Sequence, residues 1–147
     1  MSSEVLLLSG PNLNELGVRS PEIYGSMTLD DHVATFSEIL KDAGYSVRHV
    51  QSNFEGALIE AVHAARGSAV AVVINAGALT HYSWALADAL DMFEGVKVEI
   101  HISNPAAREP WRHVSTLAPV VNGSIAGFGA RSYDLALDAV RRLLGDS

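Results

Sequence analysis

The densest run of reactive side chains in this sequence is 96–112, VKVEIHISNPAAREPWR. Val96, Val98, Ile100 and Ile102 alternate with Lys97, Glu99 and His101, the period of a buried strand that nevertheless carries three polar positions. Pro105 keeps Asn104 out of the helical region and offers no ladder donor, so the strand stops at Ser103-Asn104. Backbone N–H groups released at such a strand end can hold an anion. Arg108 and Arg112 follow four residues apart, a spacing that puts both guanidinium groups on one helical face. Each residue alone has an ordinary structural explanation, His101 included. Together they bring an acid or base, a hydroxyl, a carboxamide and two cations to one strand end, which suits a small, anionic, hydroxylated molecule.

The rest of the chain supplies a frame for that edge. Val5–Leu8 reads as a buried parallel strand, ended by the turn residues SGPNLN, whose carboxamides can orient a ligand or a water. Residues 15–27, ELGVRSPEIYGSM, have no stable period and contain Gly17, Pro21 and Gly25, as a hinged lid would. Within them Arg19 and Tyr24 form a possible pair in which the cation stabilises phenolate and makes Tyr24 a usable base. Thr28 caps the next helix, with Asp31 at the capping-box position; Val33, Phe36, Ile39 and Leu40 form its buried stripe and Gly44 its stop. A strand at 45–50, a helix bearing Leu58, Ile59 and Val62, and the uniformly apolar strand 69–74 come next. Asn75 ends that strand with another carboxamide. Thr80 is the expected cap of the following helix, which puts His81 in the first helical turn, where the positive helix end favours a neutral imidazole. Asp88 lies seven residues further along the same face, either solvated or meeting another subunit. A fifth strand at 120–125 and a helix from about Ser132, with Leu135, Leu137, Val140 and Leu144 inward, complete five βα units. The predicted fold is α/β: a flavodoxin-like, doubly wound, five-stranded parallel sheet with helices on both faces, its reactive groups at the carboxyl ends of strands one, three and four.

Bulk properties narrow the function. The chain has 147 residues, 48% of them hydrophobic, which makes one domain over 1–147 with a sizeable core. A net charge of -7, from 10 Lys and Arg against 17 Asp and Glu, speaks against a nucleic-acid surface. There is no cysteine, hence no disulfide framework or thiolate chemistry, and no His/acid spacing typical of a metal site. No signal segment and no apolar run of about 18 residues is present, so the expectation is a cytoplasmic protein with no membrane partner.

Four separated blocks carry a resemblance. GPNLNELG (10–17), Arg19 with Pro21 and Tyr24-Gly25, INAGALTH (74–81) and EIHISNPAAREPWR (99–112) closely resemble the type II 3-dehydroquinate dehydratase family, colinearly over nearly the whole chain. The resemblance implies anti loss of water from 3-dehydroquinate through an enolate, without metal or organic cofactor, in aromatic biosynthesis or quinate breakdown. It implies a dodecamer of four trimers. By position it makes Tyr24 the base at C2, with Arg19 lowering its pKa, and His101 the acid at the departing C1 hydroxyl, oriented by Glu99. Asn12 would place the water that stabilises the enolate. Asn75, His81 and Arg112 would bind ring hydroxyls, and the Ile102 and Ser103 amides the carboxylate. Arg108 would hold the closed lid, and Asp88 would reach a neighbouring subunit's site.

The departures from the family pattern are Ser20 for Glu, Ala106 for His, Ala78 for the second Gly of a pair, Tyr82 and Trp84 for smaller residues, Pro110-Trp111, and Ala130-Arg131-Ser132. None removes a residue with a direct chemical role. The rival readings are a noncatalytic or altered-substrate relative and a flavodoxin-like module binding a small anion. A flavin- or phosphate-binding module would need a Ser/Thr-rich loop after strand one, where GPNLN stands instead.

Overall fold

The computed structural model describes residues 3–145; residues 1, 2, 146 and 147 of the expected 1–147 domain lie outside the described residues. Five strands, β1 (Glu4–Ser9), β2 (Ser46–Gln51), β3 (Ala69–Asn75), β4 (Val96–His101) and β5 (Gly123–Ala126), form one parallel sheet in the order β2-β1-β3-β4-β5. The doubly wound, flavodoxin-like arrangement expected from the sequence is the one observed. The order reverses beside β1, so the loops after β1 and β3 leave the sheet edge next to each other, where such folds bind ligands.

The pleat divides the core in two. Val5, Leu7, Ala71, Val73, Val98 and Ile100 face α2 (Leu29–Asp42) and α5 (Arg131–Leu143). Leu6, Leu8, Val72 and Ile74 face α3 (Glu55–Ala65) and α4 (Trp84–Asp91). Successive residues of β1 and β3 are thus buried on opposite faces, which is why those strands are apolar without alternation. Each fully buried Leu or Val there is worth about 1.5–3 kcal/mol relative to exposure. On β4 Val98, Ile100 and the following Ile102 are buried in the α2/α5 core, with the partly buried Val96 packed against it. Glu99 and His101 point to the other face, as the period of two requires.

Several boundaries differ from expectation. Thr80 does not cap a helix: Gly77–His81 forms a 3-10 turn, Tyr82 breaks it, and Ser83 caps α4 by accepting from Leu86 N–H at 3.1 Å. His81 therefore ends a 3-10 turn and does not sit at a helix N-terminus, which removes the helix-end argument made for it. Arg108 and Arg112 share no helical face either, because Pro105 and Pro110 each start a separate 3-10 turn, Pro105–Ala107 and Pro110–Arg112. The fifth strand begins at Gly123, since Ala118–Val120 is a 3-10 turn. Asn122 joins the ladder partly by side chain, its Oδ1 accepting from Lys97 N–H at 2.7 Å. In α5 the buried positions are Tyr133, Ala136, Leu137 and Val140, whose spacing turns Leu135 outward, 43% exposed. Ile39 of α2 is likewise exposed, while the Thr28–Asp31 capping box forms as predicted. Within 15–27, Pro21–Tyr24 makes one helical turn, α1, preceded by Ser20 at φ 35°.

Candidate active site

The loops after β1, β3 and β4 surround one cleft of about 630 Å³, counted with the space open to solvent. That volume suits a small molecule. Its floor is set by contact between two loops. A Cβ on Gly10 would lie 2.2 Å from the carbonyl oxygen of Ala76, so only glycine lets them meet, and Gly10 N–H donates to Asn75 O at 2.8 Å. Asn12 follows in the left-handed region at φ 69°, its N–H donating to Asn53 Oδ1 at 2.9 Å. Asn75 is buried, with Oδ1 accepting from Gly77 N–H at 3.2 Å.

Segment 15–27 brings Arg19 and Tyr24 to the lining of this cleft. Two cations lie against the Tyr24 ring, with Arg19 Cζ 4.4 Å and Arg108 Cζ 5.2 Å from the centroid. Arg108 Nη1 also donates to Ser103 Oγ at 3.1 Å, while its buried Nε has no hydrogen-bond partner and the Glu109 carboxylate stands 3.9 Å away. Arg112 Nε donates to Glu109 Oε2 at 2.7 Å, and its guanidinium stacks 4.0 Å from the Trp111 ring. The Arg112 hydrogen bond, with help from both guanidinium charges, holds the Glu109 carboxyl below its ordinary range. Three arginines thus face one cleft in a chain of net charge -7, so the cleft favours an anion against the charge of the whole.

The two histidines are fixed differently. His81 Nδ1 lies 2.7 Å from Val114 O, so it donates there and a neutral ring presents Nε2 as an acceptor; Trp111 packs edge-on against it at 5.6 Å. His101 Nε2 lies 2.6 Å from Glu99 Oε2. Glu99 is 1% exposed and also accepts from Ser115 Oγ, 2.9 Å from each oxygen, and from Ser124 Oγ at 3.1 Å. Burial pushes the Glu99 pKa up, but the hydrogen bond and charge of His101 and the two serine hydroxyls outweigh it, leaving the carboxyl below its ordinary range.

Asn12, Arg19, Tyr24, Asn75, His81, His101, Ile102, Ser103, Arg108 and Arg112 all line this cleft. Glu99 lies behind His101. Asp88 is on the outside of the chain, in a separate hollow with Trp84, Val114 and Thr116, so the fold of one chain does not bring it to the cleft. Ser115, Ser124, Gln51 and Asn53 also support the site and were not among the residues expected from sequence. The last two carried a usable signal, a carboxamide just after a strand, and Gln51 Nε2 donates to Gly10 O and Asn53 Oδ1, both at 3.2 Å. The serines carried none, being common residues 16 and 25 positions beyond the carboxylate they contact.

A parallel α/β sheet with a cationic, histidine-bearing cleft at its switch point defines a protein that handles small anionic metabolites. The profile of the family described as Dehydroquinase class II matches residues 3–141, and the chain belongs to that family. It is 51% identical over 138 residues to the 3-dehydroquinate dehydratase of Ruegeria pomeroyi, covering 94% of this chain and 93% of that one. It superposes with a TM-score of 0.91 and 41% identity on the crystal structure of type II dehydroquinase from Butyrivibrio crossotus, covering 95% and 98% of the two chains. The type II dehydroquinase from Propionibacterium acnes gives a TM-score of 0.90 at 42% identity, covering 97% and 98%.

Proposed function

We infer that this chain is a hydro-lyase that removes water from 3-dehydroquinate to give 3-dehydroshikimate, with roles assigned to its residues as follows. The substrate carboxylate lies at the end of β4 against Ile102 and Ser103, in the field of Arg108 and Arg112. Tyr24, as phenolate, takes the proton beside the ketone. The negative charge then moves to the carbonyl oxygen, where a water placed by Asn12 stabilises the enolate. His101 protonates the hydroxyl leaving from C1, with Glu99 holding its ring. Asn75, His81 and Arg112 hold the ring hydroxyls, and Arg19 and Arg108, both against the Tyr24 ring, offset its negative charge. Tyr24, from the segment after β1, and His101, from the end of β4, line one cleft and together carry out the anti elimination.

The observation that carries this reading is the convergence of Tyr24, His101 and three guanidinium groups on a single cleft in a member of this family. Residues 15–27 act as the lid, closing Tyr24 over substrate and excluding water. Asp88 completes a neighbouring subunit's site in a dodecamer of four trimers; its exposed position beside Trp84, itself 75% exposed in the single chain, supports that role. Among the described residues no helix is long and apolar enough to cross a membrane, in keeping with work in the cytoplasm. The test is direct. Purified protein is incubated with 3-dehydroquinate and the ultraviolet absorbance of the conjugated product is followed. Absorbance should rise catalytically, and its failure to rise at high enzyme concentration would sink the assignment.

A further inference from the structure

We propose that Ser115 and Ser124 are positioning residues which, through Glu99, fix the hydrogen-bond direction of His101 so that Nδ1 is the atom delivering the proton to substrate. The inference rests on the reading of His101 as the acid.

A serine hydroxyl has one hydrogen and two lone pairs. Ser115 Oγ accepts from Leu117 N–H at 3.2 Å and from Ala118 N–H at 3.0 Å, which occupies both lone pairs. Its hydrogen must therefore point to Glu99, 2.9 Å from either oxygen. Ser124 brings a further hydroxyl to Oε1. A carboxylate surrounded by donors is held as an acceptor, so the 2.6 Å contact at Oε2 is made by an N–H on His101 Nε2. With Nε2 committed, the neutral ring has its lone pair on Nδ1, and any additional proton resides there. Among the described residues Nδ1 has no protein partner, and His101 lines the cleft. The acid atom is thereby set by two hydroxyls that never touch the substrate.

Few other charges surround Glu99. Its own strand carries Lys97, whose Nζ donates to Leu90 O at 3.0 Å. The adjoining β3 and β5 contribute no titratable side chain. On the same face α4 carries Asp88 and Asp91, and Glu55 of α3 is bonded to the Ser83 hydroxyl. The loop before Ser115 contributes His113, bonded to Arg108 O at 3.0 Å, with Arg108 and Arg112 beyond it at the cleft. The Glu99 carboxylate is hydrogen-bonded to His101, Ser115 and Ser124 and to none of these groups, so the serines are the groups to vary.

The experiment measures kcat against pH for the unmodified protein, Ser115→Ala, Ser115→Thr and Ser124→Ala, with Glu99→Gln and His101→Ala as references. Ser115→Ala removes a hydrogen bond to a charged group and should lower kcat by about tenfold or more. With one donor fewer, Glu99 takes up a proton more readily, so the acidic limb should move to higher pH. Ser124→Ala, whose hydroxyl has Glu99 as its partner, should move the limb the same way by less, and Ser115→Thr should restore it. In the Glu99→Gln background, removing Ser115 should cost little more. Unmoved acidic limbs in both alanine variants, or losses that multiply fully with that of Glu99→Gln, overturn the proposal even where Ser115→Ala folds poorly, because Ser124→Ala reads the same linkage. Near-normal turnover by His101→Ala overturns the underlying assignment of the acid itself. An inactive His101→Ala beside unmoved serine variants overturns the role of the serines alone.

Discussion

Gly10→Ala tests how the cleft floor is built. The new Cβ would stand 2.2 Å from the Ala76 carbonyl oxygen, 2.5 Å from its carbon and 2.9 Å from its Cα, all backbone atoms that no rotamer change can move aside. Reaching an ordinary contact requires the loops after β1 and β3 to part by about 1 Å, against a close-packed interior that yields little. Overpacking of that kind costs about 1–3 kcal/mol. The catalytic effect should be larger than the structural one, because the displaced segments carry Asn12 on one side and Asn75 on the other. A misplacement of about 1 Å in positioning groups can cost about 10²-fold in rate. The assays are urea unfolding and turnover of 3-dehydroquinate for both proteins. Unchanged stability together with unchanged kcat would refute the claim that contact between these two loops sets the geometry of the cleft.

Three further substitutions test the same structure. Glu99→Gln keeps the shape but loses a charge-assisted hydrogen bond worth about 1.5–3 kcal/mol, so kcat should fall about 10- to 150-fold. Because the folded Glu99 pKa lies below its ordinary 4.5, the carboxylate stabilises the fold above that value and loses this contribution as pH falls through the lowered pKa; the stability gap between unmodified protein and Glu99→Gln should close over that window in pH-dependent melting. His32 is buried against Tyr133, and burial lowers its pKa from 6.5, so below that pH the unfolded chain binds a proton the folded one resists. His32→Phe, which keeps the stack, should lose less stability than the unmodified protein on acidification from 6.5 to about 5, and an equal loss in both would be inconsistent with this account. Asp88→Ala should raise KM without unfolding the subunit, and a fully active monomer in sedimentation would exclude a shared site.

The sheet was legible because its strands obey simple periods: the unbroken apolar runs of β1 and β3 follow from burial on both faces, and the alternation of β4 from Glu99 and His101 sharing one face. The cleft was legible where a strand end coincided with a carboxamide, a proline or a cation. Helix starts were less so. Thr80 and Ser83 are both acceptable caps by type, and the choice between them depends on tertiary contacts, with Thr116 Oγ1 bonded to the carbonyls of both residues at 3.0 and 3.2 Å. The spacing of Arg108 and Arg112 suggested a helix that two prolines prevent, yet 3-10 turns still bring both guanidinium groups to the cleft. Ser115 and Ser124 could not be found from sequence, because their meaning lies in hydrogen bonds to a carboxylate distant along the chain.

The central claim is that Tyr24, with Arg19 and Arg108 against its ring, is the base that starts the elimination. Tyr24→Phe keeps the ring against the two guanidinium groups and deletes only the hydroxyl, so turnover of 3-dehydroquinate by this variant is the most direct measurement. A positioned general base contributes about 10²–10⁴-fold, so kcat should fall by that much while the dissociation constant for substrate changes little. A kcat close to that of the unmodified protein would contradict the account.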